Sequence, residues 1–245
     1  MNTFFLDRLN SEPHALAFAG QSTPWPVALA DQSANPALDE ALHTHAAAAQ
    51  ALLYPVSAEL LATTGRPVDL FGFEPNPARL GAAAAASARV PGIALTQLGA
   101  LLDAAALGYN PAQAKPVVVL GHSQGVLAVH MVQAICEAGS IDAAAAKIDE
   151  ILAIATLIGV AGTRQARQLG LAARHGEATP MLSVKDITRA QVDALIERVD
   201  GARGPIAVAV TNSATHYVLS GYPEDLAAFG VEVAKEHKRQ AKLRE

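Results

Sequence analysis

Gly121-His122-Ser123-Gln124-Gly125 brings together the residues best suited to covalent chemistry. The pattern Gly-x-Ser-x-Gly is entered from the apolar run Val117 to Leu120 and left through an apolar helical pattern, which predicts a strand, a tight turn and a helix with a serine at the apex. Ser123 is expected in a strained backbone conformation that lifts its hydroxyl above the sheet, with Gly121 and Gly125 letting strand and helix approach closely. The helix then opens at Gln124, whose backbone N–H has no intrahelical partner and points to where a tetrahedral oxyanion would form. The chemistry is attack of Ser123 on a carbonyl. The alternative is a glycine-rich β–α turn whose serine only caps the helix.

A serine hydroxyl becomes a good nucleophile when a base takes its proton, most often a histidine later in the chain. His122 adjoins Ser123, but its side chain leaves the turn in another direction. His130 is seven residues on, about two helical turns away or roughly 10 Å. His175 falls in a polar loop, His216 on a hairpin and His237 in the terminal basic run Lys235 to Arg244. The sequence therefore shows a nucleophile without a convincing base. His43 and His45 are two apart on a predicted helix, so their rings point to different sides and no metal site is expected there.

The elements that must position Ser123 are legible in outline. Leu6 to Asn10 reads as a helical lead-in and His14 to Ala19 as a short buried strand, followed by Gly20-Gln21-Ser22-Thr23-Pro24-Trp25. A strand that ends in Gly-Gln before a Pro-broken loop can present a backbone N–H to a pocket, making Gln21 the candidate second oxyanion donor. Ala37 to Leu61 is helical in character, Leu70 to Leu80 is a Pro-rich connection and Gly81 to Ala88 is alanine-rich helical packing. Val90 to Leu107 reads as a helix with Pro91 in its first turn. Gln97 is polar amid Ile93, Leu95, Leu98 and Leu101. Ile141 to Ala161 is another helix that Gly159 and Gly162 end or bend, and Gln165 to Thr179 reads as a loop. From Pro180 the order is strand, helix, strand, strand, helix. Thr188-x-x-Gln191 matches a capping box, Ile206, Val208 and Val210 alternate with Ala207 and Ala209, and Pro223 opens the last helix. This is a split β–α–β unit without its last strand. The predicted division is 1–179 and 180–245.

Composition narrows the function classes. Hydrophobic residues make up 51% and charged ones 17%, well under the usual share of charge, so the chain has a large core to bury. A net charge of −5 with scattered basic residues speaks against nucleic-acid binding. The N-terminus lacks the apolar centre of a signal peptide, and the longest apolar run, Ile151 to Ala161, is too short to span a bilayer. A soluble, cytoplasmic protein is expected. The single cysteine, Cys136, excludes an internal disulfide and a cysteine-rich metal site, and it reads as a small buried hydrophobe.

Taken together, Phe18-Ala19-Gly20-Gln21, Gly121-His122-Ser123-Gln124-Gly125, Pro180-Met181-Leu182-Ser183-Val184 and Val218-Leu219-Ser220-Gly221 resemble the starter acyltransferase domain of type I fatty acid synthases. The likeness is to the N-terminal region of the bacterial multifunctional synthases and of the fungal β chain, and it extends over nearly the whole chain. It implies an α/β fold: an α/β-hydrolase-like acyltransferase core with an inserted ferredoxin-like subdomain, truncated at the C-terminus. It implies that Ser123 takes an acyl group from coenzyme A and passes it to the phosphopantetheine thiol of an acyl carrier protein, with Gln21 and Gln124 as oxyanion donors. Ser22 departs from the glycine common at that position. The family's catalytic histidine lies in a Phe-His motif beyond the inserted subdomain, so this chain is expected to be an N-terminal piece, weakly active or inactive alone.

Malonyl-selective relatives hold the substrate carboxylate with an arginine on a helix after the elbow, because a buried carboxylate needs a paired cation. The resemblance places Ile158 there and implies an apolar acyl pocket, lined also by Gln97, that favours acetyl or another uncharged acyl group over malonyl. Implied partners are acyl-CoA, the carrier protein and other synthase domains, in a homo-oligomer of the full-length protein. No metal and no cofactor beyond coenzyme A and phosphopantetheine as substrates is implied. Two other readings share parts of the pattern. One is a serine esterase or thioesterase with water as acceptor; the other is a non-catalytic scaffold within a synthase.

Overall fold

The computed structural model describes residues 3–20, 24–64, 69–71, 82–168, 181–199 and 204–242. It is a mixed α/β chain, mostly helical. Backbone contacts divide it into two units, Met1–Ala172 and Ala173–Glu245.

In the first unit, β1 (Ala15–Phe18) and β2 (Val118–Gly121) run parallel, with Phe18 opposite Gly121. Around them stand α1 (Thr3–Ser11), α2 (Trp25–Ser33), α3 (Pro36–Thr64), α4 (Ala82–Ala106), α5 (Pro111–Ala114), α6 (Val126–Ala138) and α7 (Ile141–Gln168). Leu42, Ile93, Leu98, Met131, Ile135, Ile148 and Leu152 from α3, α4, α6 and α7 are almost fully buried and form one core. The apolar stripe that makes α6 amphipathic, Leu127, Met131, Val132 and Ile135, is the face it buries. Gly139 ends α6 at φ 89°, and its N–H donates to the Ile135 carbonyl at 2.8 Å. Ser140 caps α7 by accepting the Ala143 N–H at 3.1 Å.

Several expectations need correction. The strand at 14–19 is half-exposed rather than buried, and Val118 and Leu120 of β2 are exposed. Leu16, Phe18 and Val119 reach the helical core, so the helices cover one face of this pair of strands. Trp25–Ser33, to which the sequence assigned no element beyond the Pro-broken loop ending at Trp25, is helical, and so is the short α5. Pro91 stands inside α4 instead of in a first turn, because 82–88 and 90–106 form one helix. Proline cannot donate to the carbonyl four residues back, that of Ser87. Gly159 of α7 closes against this Ser87 carbonyl, where a Cβ would overlap it. Gly159, expected to end or bend α7, is thus a helix-crossing point that does not end it, and α7 continues to Gln168, so residues 165–168 are helical and not loop. Cys136 lies exposed on α6.

In the second unit, β3 (Met181–Lys185), α8 (Arg189–Val199), β4 (Ala207–Ser213), β5 (His216–Ser220) and α9 (Pro223–Lys242) follow in that order. The sheet is antiparallel, ordered β3-β5-β4. Val184, Val192, Leu195, Tyr217, Leu219, Leu226 and Phe229 are its core. The capping box forms as the spacing predicts: Gln191 Oε1 accepts the Thr188 N–H at 2.9 Å while Thr188 Oγ1 accepts the Gln191 N–H at 3.4 Å. The expected alternation of Ile206, Val208 and Val210 fails at its last member. The register slips between Val208 and Val210, so Val210 turns to the open face and is exposed. A one-residue slip moves every later side chain to the other side.

Candidate active site

The end of β1 and the turn that follows β2 meet at Ser123. The β2 strand enters through His122 in an extended conformation, φ −91° and ψ 125°, and Ser123 then takes φ 54°. A left-handed conformation at a non-glycine residue is costly and collects at functional sites. The turn Ser123–Gly125 is a 3-10 helix closed by the Gly125 N–H on the His122 carbonyl at 2.9 Å, and α6 continues from it. Ser123 is exposed, Gln124 half-buried and Gly125 buried.

Close backbone approach explains the flanking glycines. A Cβ at Gly121 would stand 2.5 Å from the Gly125 carbonyl carbon and from the Val126 nitrogen; one at Gly125 would overlap the Phe18 carbonyl. From the other side, the His122 N–H donates to that same Phe18 carbonyl at 3.0 Å. The end of β1 is pressed against the nucleophile: a Cβ at Gly20 would be 2.6 Å from the His122 carbonyl oxygen and 2.8 Å from Ser123 Cβ. Gln97, on α4 and 7% exposed, donates from Nε2 to the Ala19 carbonyl at 2.5 Å. Its Oε1 and that of Gln124 are buried without a partner among the described residues.

The structure thus brings Gly121, His122, Ser123, Gln124 and Gly125 into one turn and adds Gly20 and Gln97 to it. Gln21 lies outside the described residues. Ile158 stands half-exposed with Ile154 and Leu157 on one face of α7, a position that does not enclose it. Arg164 is exposed near the end of the same helix.

Four of the eight histidines have described partners other than Ser123. His14 Nε2 meets the Tyr109 hydroxyl at 2.8 Å, and His45 Nδ1 meets Asp149 at 2.7 Å. His43 stacks on Phe71 with ring centroids 3.7 Å apart and bonds the Asp39 carbonyl, so the two α3 histidines serve different sides. His130 is exposed, and His175 lies outside the described residues. In the second unit His216 Nε2 is 2.9 Å from Ser183 Oγ, and His237 lines a cavity of about 340 Å³ beside β3. The Ser183–His216 pair escaped sequence reasoning because it is a diagonal contact set by strand register. Gln97 did give a signal, an amide in an apolar stripe, but its partner lies 78 residues away. Among the described residues no group of three or more His, Cys, Asp or Glu could hold a metal ion, and no described helix is long and apolar enough to cross a membrane.

Comparison with known proteins bears on this geometry. Residues 77–244 match the family model described as "Starter unit:ACP transacylase in aflatoxin biosynthesis". The fatty acid synthase beta subunit hexB of Dothistroma septosporum is 30% identical over 143 residues, which cover 52% of this chain and 7% of that protein. This chain therefore spans less than a tenth of that relative. The malonyl CoA-acyl carrier protein transacylase of Coxiella burnetii superimposes with a TM-score of 0.52 at 19% identity, over 92% of this chain and 58% of that one. A type II PKS acyl-carrier protein in complex with its malonyl-transacylase gives a TM-score of 0.53 at 16% identity, over 92% of this chain and 60% of that chain. At these identities the likeness is one of fold.

Proposed function

The chain belongs to the starter unit:ACP transacylase family, of the acyltransferase type found in fatty acid and polyketide synthases, and from that premise we propose that Ser123 carries an acyl group from coenzyme A to an acyl carrier protein. The observation that carries the reading is the backbone of Ser123, held at φ 54° between β2 and α6 with its side chain open to solvent.

In the first half-reaction the serine oxygen attacks the thioester carbonyl as a base takes its proton. The tetrahedral oxyanion is stabilised by the N–H groups of Gln124 and Gln21, and coenzyme A leaves as the thiol when the proton is returned. In the second half-reaction the phosphopantetheine thiol attacks the seryl ester and Ser123 regains its hydroxyl. Coenzyme A and phosphopantetheine are substrates, and no further cofactor enters. On this reading the base lies outside the histidines whose partners are described above.

The proposed acyl group is acetyl, in a loading role. Ile158 stands where the resemblance puts a carboxylate-binding arginine in malonyl-selective relatives, and an apolar side chain there gives a carboxylate no partner. The two units are proposed as an α/β-hydrolase-like core and a ferredoxin-like subdomain beginning at 180; the β–α–β–β–α order and the β3-β5-β4 sheet support the second. Other synthase domains, a homo-oligomeric whole and a cytoplasmic setting complete the reading.

Intact mass after mixing with acetyl-CoA or malonyl-CoA tests it, on this chain, on its Ser123→Ala variant and on a longer chain extended to match its relatives. An acetyl adduct that Ser123→Ala abolishes and that holo carrier protein discharges is expected. Preference for malonyl would overturn the acetyl assignment, discharge only to water would point to a hydrolase, and no adduct on any form would leave a scaffold.

A further inference from the structure

We propose that Gln97 is a positioning residue for acyl transfer: its amide holds the Ala19–Gly20 peptide at the distance from Ser123 that the reaction needs. The role rests on Ser123 being the nucleophile. Gln97 occupies a helix face whose other members, Ile93, Ala94, Leu98 and Leu101, are buried and apolar. A methionine or leucine would fill the same space with no polar atom to satisfy. The chain instead places there an amide that uses only one end. Nε2 donates to the Ala19 carbonyl at 2.5 Å, while Oε1 is buried with no partner among the described residues. Leaving a buried polar atom unpaired is destabilising. A local violation of this kind beside a strained serine is where function, rather than stability, sets the residue.

The position of the bonded carbonyl supports this. Ala19 O would stand 2.9 Å from a Cβ at Gly125, so it is packed on the elbow from one side and gripped from α4 on the other. The next residue, Gly20, is the one pressed against Ser123 Cβ and the His122 carbonyl. The Gln97 amide therefore ties three elements, α4, the end of β1 and the elbow, at a single atom. In sequence the proposed oxyanion donor Gln21 follows directly. Removing the bond takes the α4 tether off the Ala19–Gly20 peptide, just beyond the Phe18 carbonyl that the His122 N–H holds. A displacement of about 1 Å in a reacting constellation can cost on the order of a hundredfold in rate without touching substrate affinity.

The test compares wild type, Gln97→Met and a control, Thr156→Val, which removes a buried hydroxyl that bonds only its own helix at the Leu152 carbonyl. On the longest chain that acylates, formation of the Ser123 ester is followed by mass against acyl-CoA concentration, with thermal melting and amide hydrogen exchange at Gly20 alongside. Gln97→Met is expected to lower the maximal acylation rate by roughly ten- to a hundredfold with half-saturation within about twofold. It should also speed exchange at Gly20 while melting close to the control. An acylation rate reduced no more than in Thr156→Val, or a loss explained by the unfolded fraction alone, would overturn the role while leaving Ser123 as nucleophile. No ester on wild type would remove the Ser123 reading and this role with it.

Discussion

Phe18 and Gly125 meet backbone to backbone: the carbonyl oxygen of one occupies the place where a Cβ on the other would stand. The same oxygen accepts the His122 N–H, so β1 cannot withdraw without breaking the bond that leads into the elbow. Gly125→Ala is therefore expected to destabilise the first unit by about 3 kcal/mol, the upper range for forced overpacking. Urea unfolding read from the single tryptophan, Trp25 of the first unit, would show it. Gly20→Ala meets Ser123 Cβ and the His122 carbonyl, so it should combine a loss of stability with a loss of acylation in the molecules that fold.

Ser123 pays for its φ of 54° with strain that alanine keeps and glycine relieves. Ser123→Ala and Ser123→Gly are both expected to abolish the acyl adduct. They should differ in stability, with the glycine variant about 1 kcal/mol above the alanine variant, at the low end for a residue held in a sparsely populated region. Equal midpoints in urea would show that the turn can relax around residue 123.

The reach of the sequence depended on how local each determinant was. Gly-x-Ser-x-Gly fixes a turn from five neighbouring residues, and Thr188 with Gln191 fixes a helix start from four, so both could be read directly. Pro91 and Gly159 misled because each is settled by the other's helix: α4 carries a proline through its interior where α7 brings a glycine against the Ser87 carbonyl. Val210 misled because a bulge changes strand parity and leaves no mark on the apolar alternation. Cys136 was assigned by residue type to the core, yet it falls on the open side of α6. At the site, Ser123 announced itself, whereas the bond from Gln97 to Ala19 joins residues 78 apart and has no periodic signature.

Tyr109 should titrate well above an ordinary phenol. It is 2% exposed, and burial, followed by the charge on Cys136, pushes its phenol up to about 12 from the ordinary 10.0. The unfolded chain thus loses this proton at lower pH than the folded one. Folded stability is fully present below pH 10.0 and declines as pH rises toward about 12. Ultraviolet difference titration of wild type against Tyr109→Phe should show the Tyr109 phenol ionising at about 12 rather than at the ordinary 10.0. The variant should lose the bond to His14 Nε2 and flatten the alkaline limb of the stability curve. A Tyr109 phenol ionising at the ordinary 10.0 would contradict its burial.

Glu236 gives the second unit an acid limb of opposite sign. Hydrogen bonds from Arg239 foremost, with Gln240 and Gln191 adding to them, hold its carboxyl down to about 2 from the ordinary 4.5. Arg239 reaches it at 2.8 and 3.0 Å, and Gln191 extends from α8 at 3.2 Å, so the carboxylate links α9 to α8. The unfolded chain takes up this proton first as pH falls. The contribution is present above about pH 4.5 and disappears as pH approaches 2. Glu236→Gln keeps the shape but removes the charge, so the variant should be less stable than wild type at neutral pH and converge on it at low pH. Melting temperatures from pH 7 to 2, read from the amide exchange of α8 and α9, would show the convergence. Parallel curves for the two proteins would mean that the Arg239 contacts are too well solvated to couple to folding.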